Sequence, residues 1–233
     1  MLSDLSSGSE GIVGRRAGAA TMARVMQTGQ PPSHPPPLML VAEGLTLRHG
    51  ERVVFEDLGF TIGPGLSLVR GGDGRGKTSL LRLLAGTLQP TAGRLRGVPD
   101  AVLFEQPADP AQDQTVARAW LQAVARRHAH WNTARARHVA EAFGLHEHID
   151  KPLFMLSTGS RRKLGLVAAA ASGARLTLLD APWAALDTAS RRVLDGLLRE
   201  AAANTVQAWV VADAAQPPGL SGVHWAGLID LGD

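Results

Sequence analysis

One short stretch of this sequence carries residue types that could do phosphate chemistry. It runs Gly71-Gly72-Asp73-Gly74-Arg75-Gly76-Lys77-Thr78-Ser79. The order fits a glycine, four free positions, then Gly-Lys and a hydroxyl residue. Glycines let the backbone turn successive N–H groups inward onto phosphate oxygens. A helix beginning at the lysine would aim its positive N-terminal end at the same anions. Lys77 would then reach the β- and γ-phosphates of a nucleotide, and the Thr78 hydroxyl would hold Mg²⁺. Residues 71–79 are therefore the candidate nucleotide-binding loop, of a kind that by itself fits many NTPases.

Such a loop works only between a strand and a helix, and the flanking sequence supplies both. Residues 66–69 form a short apolar run suited to a buried strand, after the turn signal Gly63-Pro64-Gly65. Beyond the loop, Leu80, Leu81, Leu83 and Leu84 recur at helical spacing. Upstream, residues 38–41, 45–47, 53–55 and 58–62 read as strands. Downstream, strand character returns at 102–104, 176–179 and 209–211, and weakly over 223–231. Helical patterns occupy 116–129, 133–143, 160–171 and 189–202. Strands alternating with helices predict an α/β core with a largely parallel sheet, and residues 107–155 read as a helical insert.

Composition sets outer limits. The chain has 233 residues, 45% of them hydrophobic, enough for one well-packed domain with a small subdomain. A formal charge of +3 is too small to argue for a nucleic-acid partner. The absence of cysteine excludes disulfides and thiol chemistry. The best apolar runs, 165–174 and 176–186, fall short of a membrane span, and Asp180 interrupts the second. Residues 1–38 hold five of the fourteen prolines, and Gly and Ser dominate their beginning; they read as a disordered extension. That segment has no apolar core of a secretory signal, and Met22, Met26 or Met39 could be the true start. His128, His130, His138, His146 and His148 cluster in the insert. His128 and His130 are two apart and would not share a helix face, so they give no defensible metal set.

Taken in order, the remaining motifs resemble an ATP-binding cassette (ABC) ATPase over nearly all of residues 39–233. Leu81-Arg82-Leu83-Leu84-Ala85-Gly86, with Pro90 and Gly93, is similar to the helix and turn after the phosphate loop of that family. Gln106 sits where the family has the glutamine that contacts Mg²⁺ and senses the membrane subunit. Leu156-Ser157-Thr158-Gly159-Ser160 resembles the Leu-Ser-Gly-Gly-Gln signature, with Thr158 and Ser160 departing from it. In the family, donors there serve the ATP held by the opposite subunit; Ser157 also suits a helix N-cap. Leu176-Thr177-Leu178-Leu179-Asp180 resembles the Walker B strand and implies that Asp180 joins the Mg²⁺ shell. Ala185-Leu186-Asp187 is similar to the D-loop. His49 occupies the place where an aromatic ring often stacks on adenine, and equally suits a surface histidine. The short insert and early C-terminus most resemble the compact ATPases of the haem-exporter and ABC-2 groups.

The resemblance implies a P-loop NTPase core of RecA type with a mostly parallel sheet, an antiparallel β portion near the N-terminus and a small helical subdomain. It implies ATP and Mg²⁺ as ligands, a second cassette and a transmembrane permease as partners, and a cytoplasmic location at the inner face of a membrane. Two departures bear on chemistry. After Asp180 the family has a glutamate that polarises the attacking water, and here stands Ala181. The switch histidine is expected after the strand at 209–211, and there stands Ala214, with Asp213 the nearest polar substitute. Losing a general base costs about 10²–10⁴ in rate. The expectation is ATP binding with impaired turnover, or a non-hydrolysing subunit that gates a competent partner.

Overall fold

A computed structural model of the chain describes residues 39–104 and 109–232. The extension at 1–38 and Gln106 lie outside the described residues.

Two sheets organise the fold. The first is antiparallel and contains β1 (Leu40–His49), β2 (Arg52–Ile62) and β4 (Ala92–Arg96) in the order β2-β1-β4. The second is parallel and orders β5 (Val102–Leu103), β6 (Leu176–Asp180), β7 (Ala208–Asp213), β3 (Gly65–Arg70) and β8 (Gly227–Asp230) as β5-β6-β7-β3-β8. The strand before the phosphate loop and the strand ending at Asp180 thus lie on either side of β7.

Side-chain alternation in β7 explains how that sheet is buried on both faces. Ala208, Val210 and Ala212 face one core, built with Leu80, Leu81, Leu83 and Leu84 of α1 (Lys77–Leu84) and with the antiparallel sheet. Trp209 and Val211 face the other, shared with α4 (Thr158–Ala171) and α5 (Thr188–Ala202). Trp120 and Val124 of α2 (Ala117–Arg127) and Val139 of α3 (Thr133–Ala142) extend this second core into the helical insert. Parallel strands covered on both faces read as continuous apolar runs, which is why 176–179 and 209–211 were plain in the sequence.

Several sequence expectations are corrected. Of the one or two strands open for 38–41 and 45–47, the described residues form one, β1, and the segments 53–55 and 58–62 join in β2. Each is broken in pattern, not in pairing, by a bulge. Gly44 (φ 59°) and Asp57 (φ 52°) take left-handed conformations, and the β1–β2 register shifts beside both. The Asp57 N–H donates to Thr46 Oγ1 (3.1 Å), which holds the second bulge. The turn expected around Pro90 and Gly93 contains a strand, β4, that pairs with β1. An added Cβ on Gly93 would lie 2.2 Å from the Gly44 carbonyl oxygen, so Gly93 lies tight against the β1 bulge. The helix α4 begins at Thr158, two residues early, with the Ser157 hydroxyl accepting from the Ser160 N–H (3.1 Å). The weak strand at 223–231 contracts to β8.

Candidate nucleotide-binding site

The site lies where β3, β6 and β7 end. Parallel register sets Arg70 beside Asp213 and Asp180 beside Ala212, so the residues following these strands gather on one edge. Ligands in open parallel sheets bind outside these carboxyl ends.

The loop leaving β3 has the geometry of a phosphate cradle. Gly74 (φ 75°) and Gly76 (φ 92°) are left-handed, a region that an L side chain adopts only under strain. Gly76 is also closely approached: an added Cβ would stand 2.4 Å from Val54 Cγ1 and 3.1 Å from a Phe55 ring carbon. Gly76 is the N-cap of α1, and no side chain caps that end, whereas Asn132, Ser157 and Asp187 cap α3, α4 and α5. The first-turn N–H groups of α1 are thus available to an anion. The Lys77 ammonium folds back over the loop and donates to the carbonyls of Gly71 (2.6 Å) and Gly72 (2.8 Å). The Gly72 N–H donates to the Gly232 carbonyl (3.0 Å), anchoring the loop to the chain beyond β8. Asp73 and Arg75 are exposed, and Ser79 is half-buried.

Across from the loop, the Thr78 hydroxyl donates to Asp180 Oδ2 at 2.6 Å. A carboxylate and a hydroxyl from elements 102 residues apart in sequence therefore meet at one point beside the phosphate cradle. Hard oxygen donors next to bound phosphates suit Mg²⁺, which takes one or two protein oxygens and completes its shell with phosphate and water. The residues present therefore fit ATP with Mg²⁺. When bound, the ion would neutralise phosphate charge.

The departures from the family are visible in the same region. Ala181 has φ 43°, its N–H donates to the Ala212 carbonyl (2.8 Å), and its methyl group offers no proton acceptor. Ala214 is exposed, and its N–H donates to Asp213 Oδ1 (2.7 Å), so that carboxylate is folded onto its own backbone. His49 lies at the exposed end of β1, paired in register with Arg52.

The signature residues Ser157 and Thr158 are exposed at the start of α4. Gly159 is held against the D-loop, since an added Cβ would be 2.4 Å from the Ala185 carbonyl oxygen. Ala185 itself is left-handed at φ 60°. Sequence reasoning missed Arg162, one turn further along α4. Its Nη1 donates to the carbonyls of Asp180 (2.9 Å) and Ala181 (2.7 Å). Burial lowers its pKa, opposed by the Asp180 and Asp213 carboxylates. No motif signals it, because its partners are backbone carbonyls.

Residues 55–184 match the ABC transporter family. The chain belongs to that family. Among individual relatives, the ABC subunit is 35% identical over 161 residues to the cytochrome c biogenesis ATP-binding export protein CcmA of Hyphomonas neptunium, covering 69% of this chain and 82% of that one. It is 33% identical over 198 residues to the Rhizobium meliloti protein of the same name, covering 79% and 95%. Among solved structures, an ABC transporter ATP-binding protein from Pyrococcus furiosus superposes with a TM-score of 0.66 at 22% identity, over 83% of this chain and 97% of that one. The last likeness shows the ABC fold. As a family member the chain is an ATP-binding ABC subunit of ATPase type. Among its described residues no helix is long and apolar enough to cross a membrane.

Proposed function

We propose that this ABC subunit powers an export complex of the kind named in its cytochrome c biogenesis relatives, holding ATP–Mg²⁺ and hydrolysing it slowly. The observation that carries the reading is the meeting of Thr78 and Asp180 beside the glycine cradle. In the proposed roles, residues 71–79 wrap the phosphates with backbone N–H groups. Lys77 exchanges its two carbonyl partners for phosphate oxygens, and Thr78 and Asp180, with Gln106, hold Mg²⁺. His49 packs on the adenine. Ser157, Thr158 and Gly159 serve the nucleotide of a second cassette.

Cassettes of this family work in pairs with a transmembrane permease. For this chain, the pair is held together by ATP at the interface, and the permease keeps it at the inner face of the membrane. Positioning and charge stabilisation dominate phosphoryl transfer, so the retained residues support some turnover. Ala181 and Ala214 favour a second reading, a subunit that binds ATP, closes on a competent partner and hardly hydrolyses.

The direct test is an equilibrium ATP–Mg²⁺ titration of the wild type and Lys77→Ala, followed by fluorescence. Micromolar to millimolar affinity, abolished by the substitution, is expected. Binding unchanged in Lys77→Ala would overturn the assignment of the loop. Phosphate release from the purified chain separates the slow ATPase from the non-hydrolysing clamp.

A further inference from the structure

We propose that Arg162 is a positioning residue that ties the signature helix to the strand end carrying Asp180, so that nucleotide bound at one is registered by the other. The inference rests on the ATP-site reading above and concerns a residue which that reading leaves without a role.

Three contacts fasten the first turns of α4 to residues 180–187. Gly159 lies flush against the Ala185 carbonyl. The Lys163 ammonium donates to Asp187 Oδ2 at 3.0 Å. Between them, a single nitrogen of Arg162 bridges two successive carbonyls, those of Asp180 and Ala181. The first two contacts are made with the D-loop and the cap of α5. Of these three contacts among the described residues, that of Arg162 reaches Asp180, whose carboxylate accepts from Thr78.

The charge is committed to this place. The guanidinium is half-buried, and its Nε is buried without a hydrogen-bond partner among the described residues. A guanidinium confined in this way accepts an unsatisfied donor in exchange for fixing the turn it touches. That turn needs fixing, because Ala181 is left-handed at φ 43° and lacks the glycine that would hold such a conformation without strain.

The consequence follows from linkage. ATP–Mg²⁺ that orders the Asp180 carboxylate also orders its carbonyl, and Arg162 passes that order to α4. Coupling is reciprocal, so a signature engaged by a second nucleotide steadies Asp180 in return. Arg162 acts on the reaction through these backbone groups and does not touch the phosphates.

The test is hydrogen exchange by mass spectrometry on the full chain, with and without ATP–Mg²⁺, at a dilution where light scattering reports monomer. In the wild type, ATP is expected to slow exchange over residues 71–79 and over the α4 amides of 161–164. In Arg162→Met the loop stays protected, while the ATP-dependent slowing in α4 drops about tenfold, the scale of one charge-assisted hydrogen bond. Arg162→Lys, which keeps a donor for the two carbonyls, recovers part of it. A purely structural role would loosen α4 equally with and without ATP, and lysine would not restore the difference. Undiminished α4 protection in Arg162→Met, or its absence in a wild type whose loop is protected, overturns the proposal. A wild-type loop that ATP leaves unprotected overturns the ATP-site reading first, and this inference with it.

Discussion

Gly76 shows how much one residue is asked to do at this site. It must be left-handed, it must admit Val54 and Phe55, and it must leave the α1 N-terminus open. Gly76→Ala introduces a Cβ at 2.4 Å from Val54 Cγ1. The expected outcome is a destabilisation of about 2–3 kcal/mol from strain and overpacking together, with ATP binding lost as the loop shifts. Thermal melting and the ATP titration read the two effects. Gly74→Ala, with Arg52 Nη2 at 3.7 Å from the added Cβ, meets the conformational strain alone and should destabilise less. The phosphate loop was legible in the sequence because backbone anion binding demands glycines at fixed offsets. Thr78 was legible as part of that loop, and Asp180 through the resemblance of residues 176–180 to a Walker B strand. Arg162 and the left-handed turn at Ala181 were not, since a backbone carbonyl partner and a φ angle leave no mark on composition.

At the scale of elements, the α5 cap illustrates how local chemistry fixes the D-loop. Asp187 accepts from the Ser190 N–H (2.8 Å), and from the Lys163 ammonium and Ser190 hydroxyl, both at 3.0 Å. The Ser190 N–H, then Lys163 and the Ser190 hydroxyl, hold its pKa well below the usual carboxylate range. A carboxylate lowered on folding stabilises the native state above its unfolded pKa, near 3.9, and that contribution disappears as pH falls through the folded value. Asp187→Ala should therefore lower stability at neutral pH, as lost N-caps do. In a urea-melt series from pH 7 to strongly acid conditions, the gap between variant and wild type should shrink only below about pH 4. A gap that is constant across the series would mean that Asp187 does not act through its charge.

Elements that were easy and hard to read differ in burial. β6 and β7 are buried on both faces and announce themselves as apolar runs. β4, with the sequence Ala-Gly-Arg-Leu-Arg, is exposed except at Leu95. An exposed edge strand, held by backbone pairing and by Arg94 and Arg96 against Glu43, carries no hydrophobic period. The bulges at Gly44 and Asp57 broke the alternation in β1 and β2, so β1 read as one strand or two and β2 as two segments. Helices α3, α4 and α5 each begin after a residue whose side chain caps them; of these caps only Ser157 was expected from the sequence.

At the scale of the whole molecule, the order of motifs along the chain was the strongest signal, because one parallel sheet brings β3, β6 and β7 to a common edge. The expected assembly is a pair of cassettes with each signature facing the other's ATP. Ser157→Arg should then stop hydrolysis at the site of a competent partner while leaving ATP binding by this chain intact. Mixed-dimer ATPase assays, alongside the ATP titration of the isolated variant, measure the two. A complex unaffected by Ser157→Arg would mean that Ser157 serves only as the α4 cap.

In the proposed function this molecule holds ATP in a nearly productive pose and lacks the groups that activate water. Single-turnover hydrolysis at saturating ATP tests it in four proteins: the wild type, Ala181→Glu, Ala214→His and the double variant. Both positions can receive the larger side chain, since Ala214 is exposed and Ala181 is only half-buried. The predicted result is very slow wild-type turnover, a partial gain in each single variant, and a gain in the double variant larger than either. The two groups would act on one water and one phosphate, and so couple. A restored general base is worth about 10²–10⁴ in rate. A wild type that already turns over at about 1–10³ s⁻¹, indifferent to both substitutions, would contradict the claim and point to Asp213 as the group that has taken over the base's role.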